Sequence, residues 1–312
     1  MKLWTIALCL LTLCGAAYAQ TTVWQPAPGH TQIPLWPGTP PDPQPMPGPE
    51  HTDTGDKLIG GKTISGVTNV SQPTMTVYAP TGTNTGAAVV VFPGGGFAGL
   101  AMDLEGTEVC DWLTPRGITC VLLKYRVPSK PYEWKCDCRP HNFSLSIPAL
   151  QDAQRALRLV RSRAAEWHID PHKIGVLGFS AGGYLVAEAS TNFKRRTYAP
   201  VDAVDKESSR PDFAVAIYPG HLVTDEGKFN SNITVSSETP PTFLLQAEDD
   251  YVDGVNQSLA YFAALKKADV PTEMHLYAHG GHAFGLRPTE LPITHWPKLV
   301  EAWLRTIDIV KD

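Results

Sequence analysis

The sequence predicts an α/β fold, with a mostly parallel central sheet covered by helices on both faces. Three observations predict it. Short apolar runs recur from about residue 66, segments with helical spacing lie between them, and glycines or acids cluster where the runs stop. In order, "NVSQPTMTVYAP" reads as a half-buried strand and "AAVVVFPGGGF" as a buried one ending in glycines. "MDLEGTEVCDWLTPRG" has helical spacing at Leu104, Val109 and Leu113, and Pro115-Arg116-Gly117 stops it. "ITCVLLKYRV" is the next strand. "PALQDAQRALRLVRSRAAEW" is a long amphipathic helix, on which Asp152 and Arg155 read as ion-paired residues packed on the sheet. "IGVLGF" is a strand and "SAGGYLVAEAS" opens a helix. "FAVAIYPG", "TFLLQAED" and "TEMHLYAHG" add strands, and "GVNQSLAYFAALKKA" and "THWPKLVEAWLRTI" add helices.

The 312 residues are 43% hydrophobic and 18% charged, ordinary for a globular chain. A net charge of −5 builds no basic track for nucleic acid. It suits a neutral or weakly polar substrate better than a polyanion. Lys2 precedes the apolar "LWTIALCLLTLCGAA", and Ala17-x-Ala19 follows, so residues 1–19 read as a signal peptide cut before Gln20. The run is too short for a membrane span, and Leu13 opposes a lipoprotein site at Cys14. The reading is a secreted or periplasmic protein. Residues 20–65 read as a proline-rich arm, too proline-dense for helix or interior strand, anchored by Ile33, Leu35 and Trp36. Residues 66–312 form the main domain. Cleavage leaves Cys110, Cys120, Cys136 and Cys138, with three possible pairings. Cys120 also fits as a plain core residue.

Gly178-Phe179-Ser180-Ala181-Gly182 is a G-x-S-x-G motif between a predicted strand and a predicted helix. Its glycines suit a turn too tight for larger side chains, which lifts the Ser180 hydroxyl above the sheet edge and sets a helix N-terminus beneath it. A serine nucleophile needs a base, and the base needs an orienting acid. Acids follow one downstream strand in "QAEDDYVD" and histidines follow the last in "AHGGHAFG". The base chosen is His282, where glycines allow a tight loop; His279 is the second choice, and a metal site on "HGGH" the third. The acid chosen is Asp249, with Asp250 its rival by one residue of register. Glu248 and Asp253 read as solvated loop charges. "FPGGGF" follows another strand, and Gly95 and Gly96, with the amide of Ala181, are the expected donors to an oxyanion. Glu105 fits either a hydrogen bond near this glycine loop or a helix start. Phe97, Tyr132 and Trp134 are the candidate substrate-binding residues, the last two in the long polar loop "VPSKPYEWKCDCRPHN".

"PGGGF", "DLEG", "LLKYRVP", "IDPHKIGVLGFSAGG", "PPTFLLQAEDDYV" and "GGHAFG" together resemble the α/β-hydrolase serine esterases, near the acetyl-xylan and feruloyl esterase and hormone-sensitive-lipase branches. Pro93 stands where the lipase pattern has histidine, which favours the carbohydrate-esterase side. The resemblance also puts the acid three residues before a valine, here Val252, which supports Asp249. It implies a secreted carboxylester hydrolase acting on a small-molecule or polysaccharide ester and removing short acyl (acetyl) or feruloyl-type groups from plant polysaccharide, by a Ser180–His282–Asp249 triad and an acyl-enzyme, with no cofactor or metal. The rival readings are a serine peptidase of the prolyl-oligopeptidase type, for whose propeller this chain has no room, and a catalytically silent carbohydrate-binding protein.

Overall fold

A computed structural model describes residues 23–43, 45–127, 146–224 and 226–311. In chain order these residues form β1 (Gln32–Pro34), β2 (His51–Thr54), β3 (Ser65–Thr68), β4 (Thr74–Tyr78), β5 (Ala88–Phe92) and β6 (Gly99–Ala101). A π-helical turn (Asp103–Thr107) runs into α1 (Glu108–Leu113), followed by β7 (Thr119–Lys124), α2 (Ser146–Ser162), β8 (Ile174–Phe179) and α3 (Ala181–Thr191). Then come β9 (Ala214–Ile217), β10 (Thr242–Ala247), α4 (Asn256–Lys267), β11 (Thr272–Tyr277) and α5 (Trp296–Thr306). Each strand and helix expected from residue 66 onward is present.

The main sheet has the order β1-β4-β7-β5-β8-β9-β10-β11. From β7 to β11 every neighbouring pair is parallel. Strands β5, β7, β8 and β10 are buried at every residue, as strands covered on both faces must be. The helices pack in pairs, α2 on α3 and α1 on α5, where Trp112 meets Trp296 edge to face at 5.5 Å. From β5 the chain moves to one side, to β7, and then returns past β5 to β8. The carboxyl ends of β5 and β8 therefore flank the point where strand order reverses, and there an open α/β sheet leaves a crevice.

The proline-rich segment is built into this frame. β1 pairs with β4 in antiparallel register, Ile33 opposite Met75, and Pro34 is tolerated because β1 is an edge strand. Leu35 and Trp36 are buried, each contributing about 1.5–3 kcal/mol. The Trp36 indole donates to Asp152 at 2.8 Å, and the Arg155 Nε donates to the Leu35 carbonyl at 2.9 Å. A second sheet, β2-β3-β6, ties the same segment to the stretch after the glycine loop. The expected boundary between residues 65 and 66 falls inside β3, so the arm and the main domain share a strand. Asp152 and Arg155 are both ion-paired, Asp152 with Arg126 at 2.9 Å and Arg155 with Asp202 and Asp205.

Cys110 on α1 is bonded to Cys120 on β7, so Cys120 is not a free core thiol. Cys136, Cys138, Tyr132, Trp134 and the expected signal peptide lie outside the described residues. No described helix is long and apolar enough to cross a membrane.

Candidate active site

Ser180 stands between β8 and α3 with φ 52° and ψ −119°, a conformation that L-residues adopt only when their surroundings enforce it. The glycines around it provide that enforcement. A Cβ on Gly182 would sit 2.0 Å from the carbonyl oxygen of Phe92, and one on Gly178 would sit 2.3 Å from that of Gly182. The turn is held by the Ser180 amide donating to Ile217 at 3.1 Å and by its carbonyl accepting from Tyr184 at 3.0 Å.

His282 comes from the loop after β11. Its Nε2 lies 2.9 Å from Ser180 Oγ and its Nδ1 lies 2.8 Å from Asp250 Oδ2. With Asp250 ionised, Nδ1–H donates to the carboxylate, and the Nε2 lone pair is left to accept from the serine hydroxyl. Burial disfavours the charged Asp250 carboxylate, but the hydrogen bond and charge of His282 and the amides of Val252 and Asp253 outweigh it and hold the pKa below the usual value. Gln246 also donates to Asp250, at 2.8 Å.

The acid against His282 is thus Asp250, not the expected Asp249. After β10 the chain turns, with the Asp250 amide directed at the Ala247 carbonyl. This turn sends Asp250 inward, two residues before Val252, and leaves the side chain of Asp249 40% exposed. Asp249 instead accepts from the amides of Gly280 and Gly281 at 2.9 and 2.8 Å and meets His279 at 3.3 Å. It fastens the loop that carries His282. His279, the second choice for the base, has a side chain 76% exposed.

The glycine loop after β5 lies against the serine, since a Cβ on Gly94 would come within 3.0 Å of Ser180 Cβ. The loop is pinned at three points. Tyr125 donates to the Pro93 carbonyl at 2.5 Å, Gly94 donates to Glu105 Oε2 at 2.7 Å, and Gly95 accepts from Ala98 and Gly99. Among the described residues, the amides of Gly95 and Gly96 donate to no acceptor. The amide of Ala181 opens α3 and has no intrahelical acceptor. Phe97, expected to contact substrate, instead packs inward against Tyr125 and Tyr184 with 1% of its surface exposed. It shapes the loop and offers no open face.

Two neighbours complete the site: Glu105, whose role the sequence leaves open, and Tyr218, which the sequence does not single out. Tyr218, just after β9, donates to Glu105 Oε1 at 2.8 Å, accepts from the Gly285 amide at 3.1 Å, and lays its ring against His282 at 4.9 Å. Glu105 is buried, and burial raises its pKa despite the donors from Tyr218 and Gly94. Glu105 therefore links the glycine loop to the wall behind His282. Of the two roles open to it from the sequence, it takes the hydrogen bond to the glycine loop.

Comparison with known proteins follows the same lines. The profile of the prolyl oligopeptidase family matches residues 149–307, and the BD-FAE profile matches residues 75–219. An acetylxylan esterase of Xylanibacter ruminicola is 30% identical over 213 residues, 64% of this chain and 41% of that protein. Endo-1,4-beta-xylanase B of Butyrivibrio fibrisolvens is 26% identical over 62% of this chain and 32% of its own length. The chain thus spans less than half the length of either. The crystal structure of an acetyl ester-xyloside bifunctional hydrolase from Caldicellulosiruptor lactoaceticus superposes with a TM-score of 0.69 and 32% identity, covering 90% of this chain and 97% of that one.

Proposed function

We infer, from the premise that this chain belongs to the prolyl oligopeptidase family and is a serine esterase on an α/β-hydrolase fold, that it is a carboxylesterase removing short acyl groups, acetyl foremost, from plant polysaccharide. The observation that carries the reading is the unbroken relay from Ser180 through His282 to Asp250 at the sheet's crevice. The likeness to proteins named for acetylxylan and acetyl ester-xyloside substrates supports the acyl group and the alcohol. In the proposed mechanism, Ser180 attacks the ester carbonyl as His282 takes its proton, and Asp250 steadies the imidazolium. The oxyanion is received by the amides of Gly95, Gly96 and Ala181, with the α3 N-terminus adding its field. His282 then returns the proton to the departing alcohol, and water resolves the acyl-enzyme. The reading includes export by residues 1–19, which suits the Cys110–Cys120 bond.

The name of the matched family favours a second reading, a peptidase. The test is to compare kcat/KM on p-nitrophenyl acetate and acetylated xylo-oligosaccharides with kcat/KM on a proline peptide anilide. The expected result is a preference for the esters of about a thousandfold or more. A preference for the anilide overturns the esterase reading. Failure of a fluorophosphonate to label the folded protein rejects both and leaves the silent binding protein.

The pH dependence follows from His282. Burial pushes its pKa down, but the hydrogen bond to Asp250 and the charges of Asp253, Asp250 and Glu105 more than offset this, leaving it above 6.5. The base works only when neutral, so activity is present above that pKa and is lost as pH falls through it. The acid limb of kcat/KM is expected above pH 6.5. A limb at or below the ordinary imidazole value contradicts this account.

A further inference from the structure

Asp253, expected as a solvated loop charge, has a side chain only 6% exposed, and its Oδ2 lies 3.8 Å from Nε2 of His282. The turn that aims Asp250 also aims Asp253. Asp250 Oδ1 accepts from the amides of Val252 and Asp253 at 2.9 and 3.1 Å, folding the chain so that the two carboxylates address opposite nitrogens of one imidazole. Room for the second carboxylate is made at Gly220, where a Cβ would meet Asp253 Oδ1 at 2.5 Å and its Cγ at 2.6 Å. The Gly220 amide in turn points toward the Ser180 carbonyl at 3.4 Å, so this corner belongs to the serine side of the site.

Its position has a chemical meaning. Nε2 is the atom that hands its proton to the departing oxygen, so a carboxylate beside Nε2 stands at the alcohol end of the ester. An ionised carboxylate only accepts hydrogen bonds. It gains most from an O–H donor in a site sheltered from water, and it repels negative charge. A carboxylate there also repels a developing oxyanion, a cost that a ligand hydroxyl offsets.

We propose that Asp253 reads the leaving group, accepting a hydrogen bond from a free hydroxyl on the carbon next to the ester oxygen and so selecting monoesters of vicinal diols, as sugars present them. The inference rests on the reading of Ser180 and His282 as the ester-cleaving pair. Atoms balance as in ordinary hydrolysis; Asp253 forms no covalent bond and transfers no proton.

The experiment uses two small acetates that differ in one methyl group, 2-hydroxyethyl acetate and 2-methoxyethyl acetate. The wild-type protein is expected to favour the free hydroxyl at least tenfold in kcat/KM. Asp253→Ala is expected to bring the ratio close to one, and the isosteric Asp253→Asn to bring it to an intermediate value. Because Asp253 is one of three carboxylates facing His282, with Asp250 and Glu105, Asp253→Asn is also expected to move the acid limb to lower pH. A wild-type ratio near one, or a ratio that Asp253→Ala leaves within twofold, overturns the inference while the esterase reading stands. If the wild type cleaves neither acetate nor p-nitrophenyl acetate, that reading fails and the inference falls with it. Fluorophosphonate labelling of Ser180 reports whether each variant is folded, and the wild-type ratio tests the proposal without any variant.

Discussion

Ser180→Ala is expected to lower kcat for p-nitrophenyl acetate by about 10⁴–10⁶-fold and to abolish fluorophosphonate labelling. The substitution removes one oxygen and leaves the turn alone. Alanine keeps the Cβ that already fits at φ 52°, and the hydrogen bonds to Ile217 and Tyr184 use only backbone atoms. Thermal stability is therefore expected to change little. Any residual rate comes from the pinned glycine loop and the α3 N-terminus, which still favour an oxyanion when water attacks directly. A variant that folds and hydrolyses the ester within tenfold of wild type would place the chemistry elsewhere.

The second large effect separates two adjacent residues. Asp250→Asn is expected to cost about 10⁴ in kcat, and Asp249→Asn no more than about tenfold. Asparagine at 250 presents an N–H as readily as an oxygen to Nδ1 of His282. When the N–H faces it, Nδ1 becomes the acceptor, the ring proton moves to Nε2, and the serine hydroxyl faces a nitrogen with no lone pair to receive its proton. At 249 the demand is milder, because an amide oxygen still accepts from Gly280 and Gly281, and the site is open to water. Measuring kcat on one ester for both variants decides the matter, and the opposite ranking would return the role to Asp249.

That one-residue ambiguity marks where the sequence stops being legible. The strands of the main sheet announce themselves because β5, β7, β8 and β10 are apolar at most positions, as burial on both faces favours. The serine turn is legible because the contacts at Gly178 and Gly182 exclude any side chain. Asp249 and Asp250 are chemically identical, and what distinguishes them is a turn whose direction comes from backbone bonding across to β10 and the His282 loop. A valine spacing borrowed from resemblance pointed to the wrong one. Asp253 was misread for a related reason. Charged residues in loops are mostly solvated, and nothing local reveals that Gly220, distant in sequence, clears a place for it. The small sheet β2-β3-β6 escaped because strands of three or four residues hold too few positions for an alternating pattern to show.

The woven N-terminal segment has a consequence for how the chain is made. Gln32 pairs with Thr76, and Trp36 donates to Asp152. Residues 32–36 leave the ribosome before the partners that fix them, so this stretch settles only after later parts of the chain are in place. β4 supplies the strand partner first, but Trp36 waits for Asp152 on α2, and in the interval the proline content of the stretch keeps its edge from pairing with other chains.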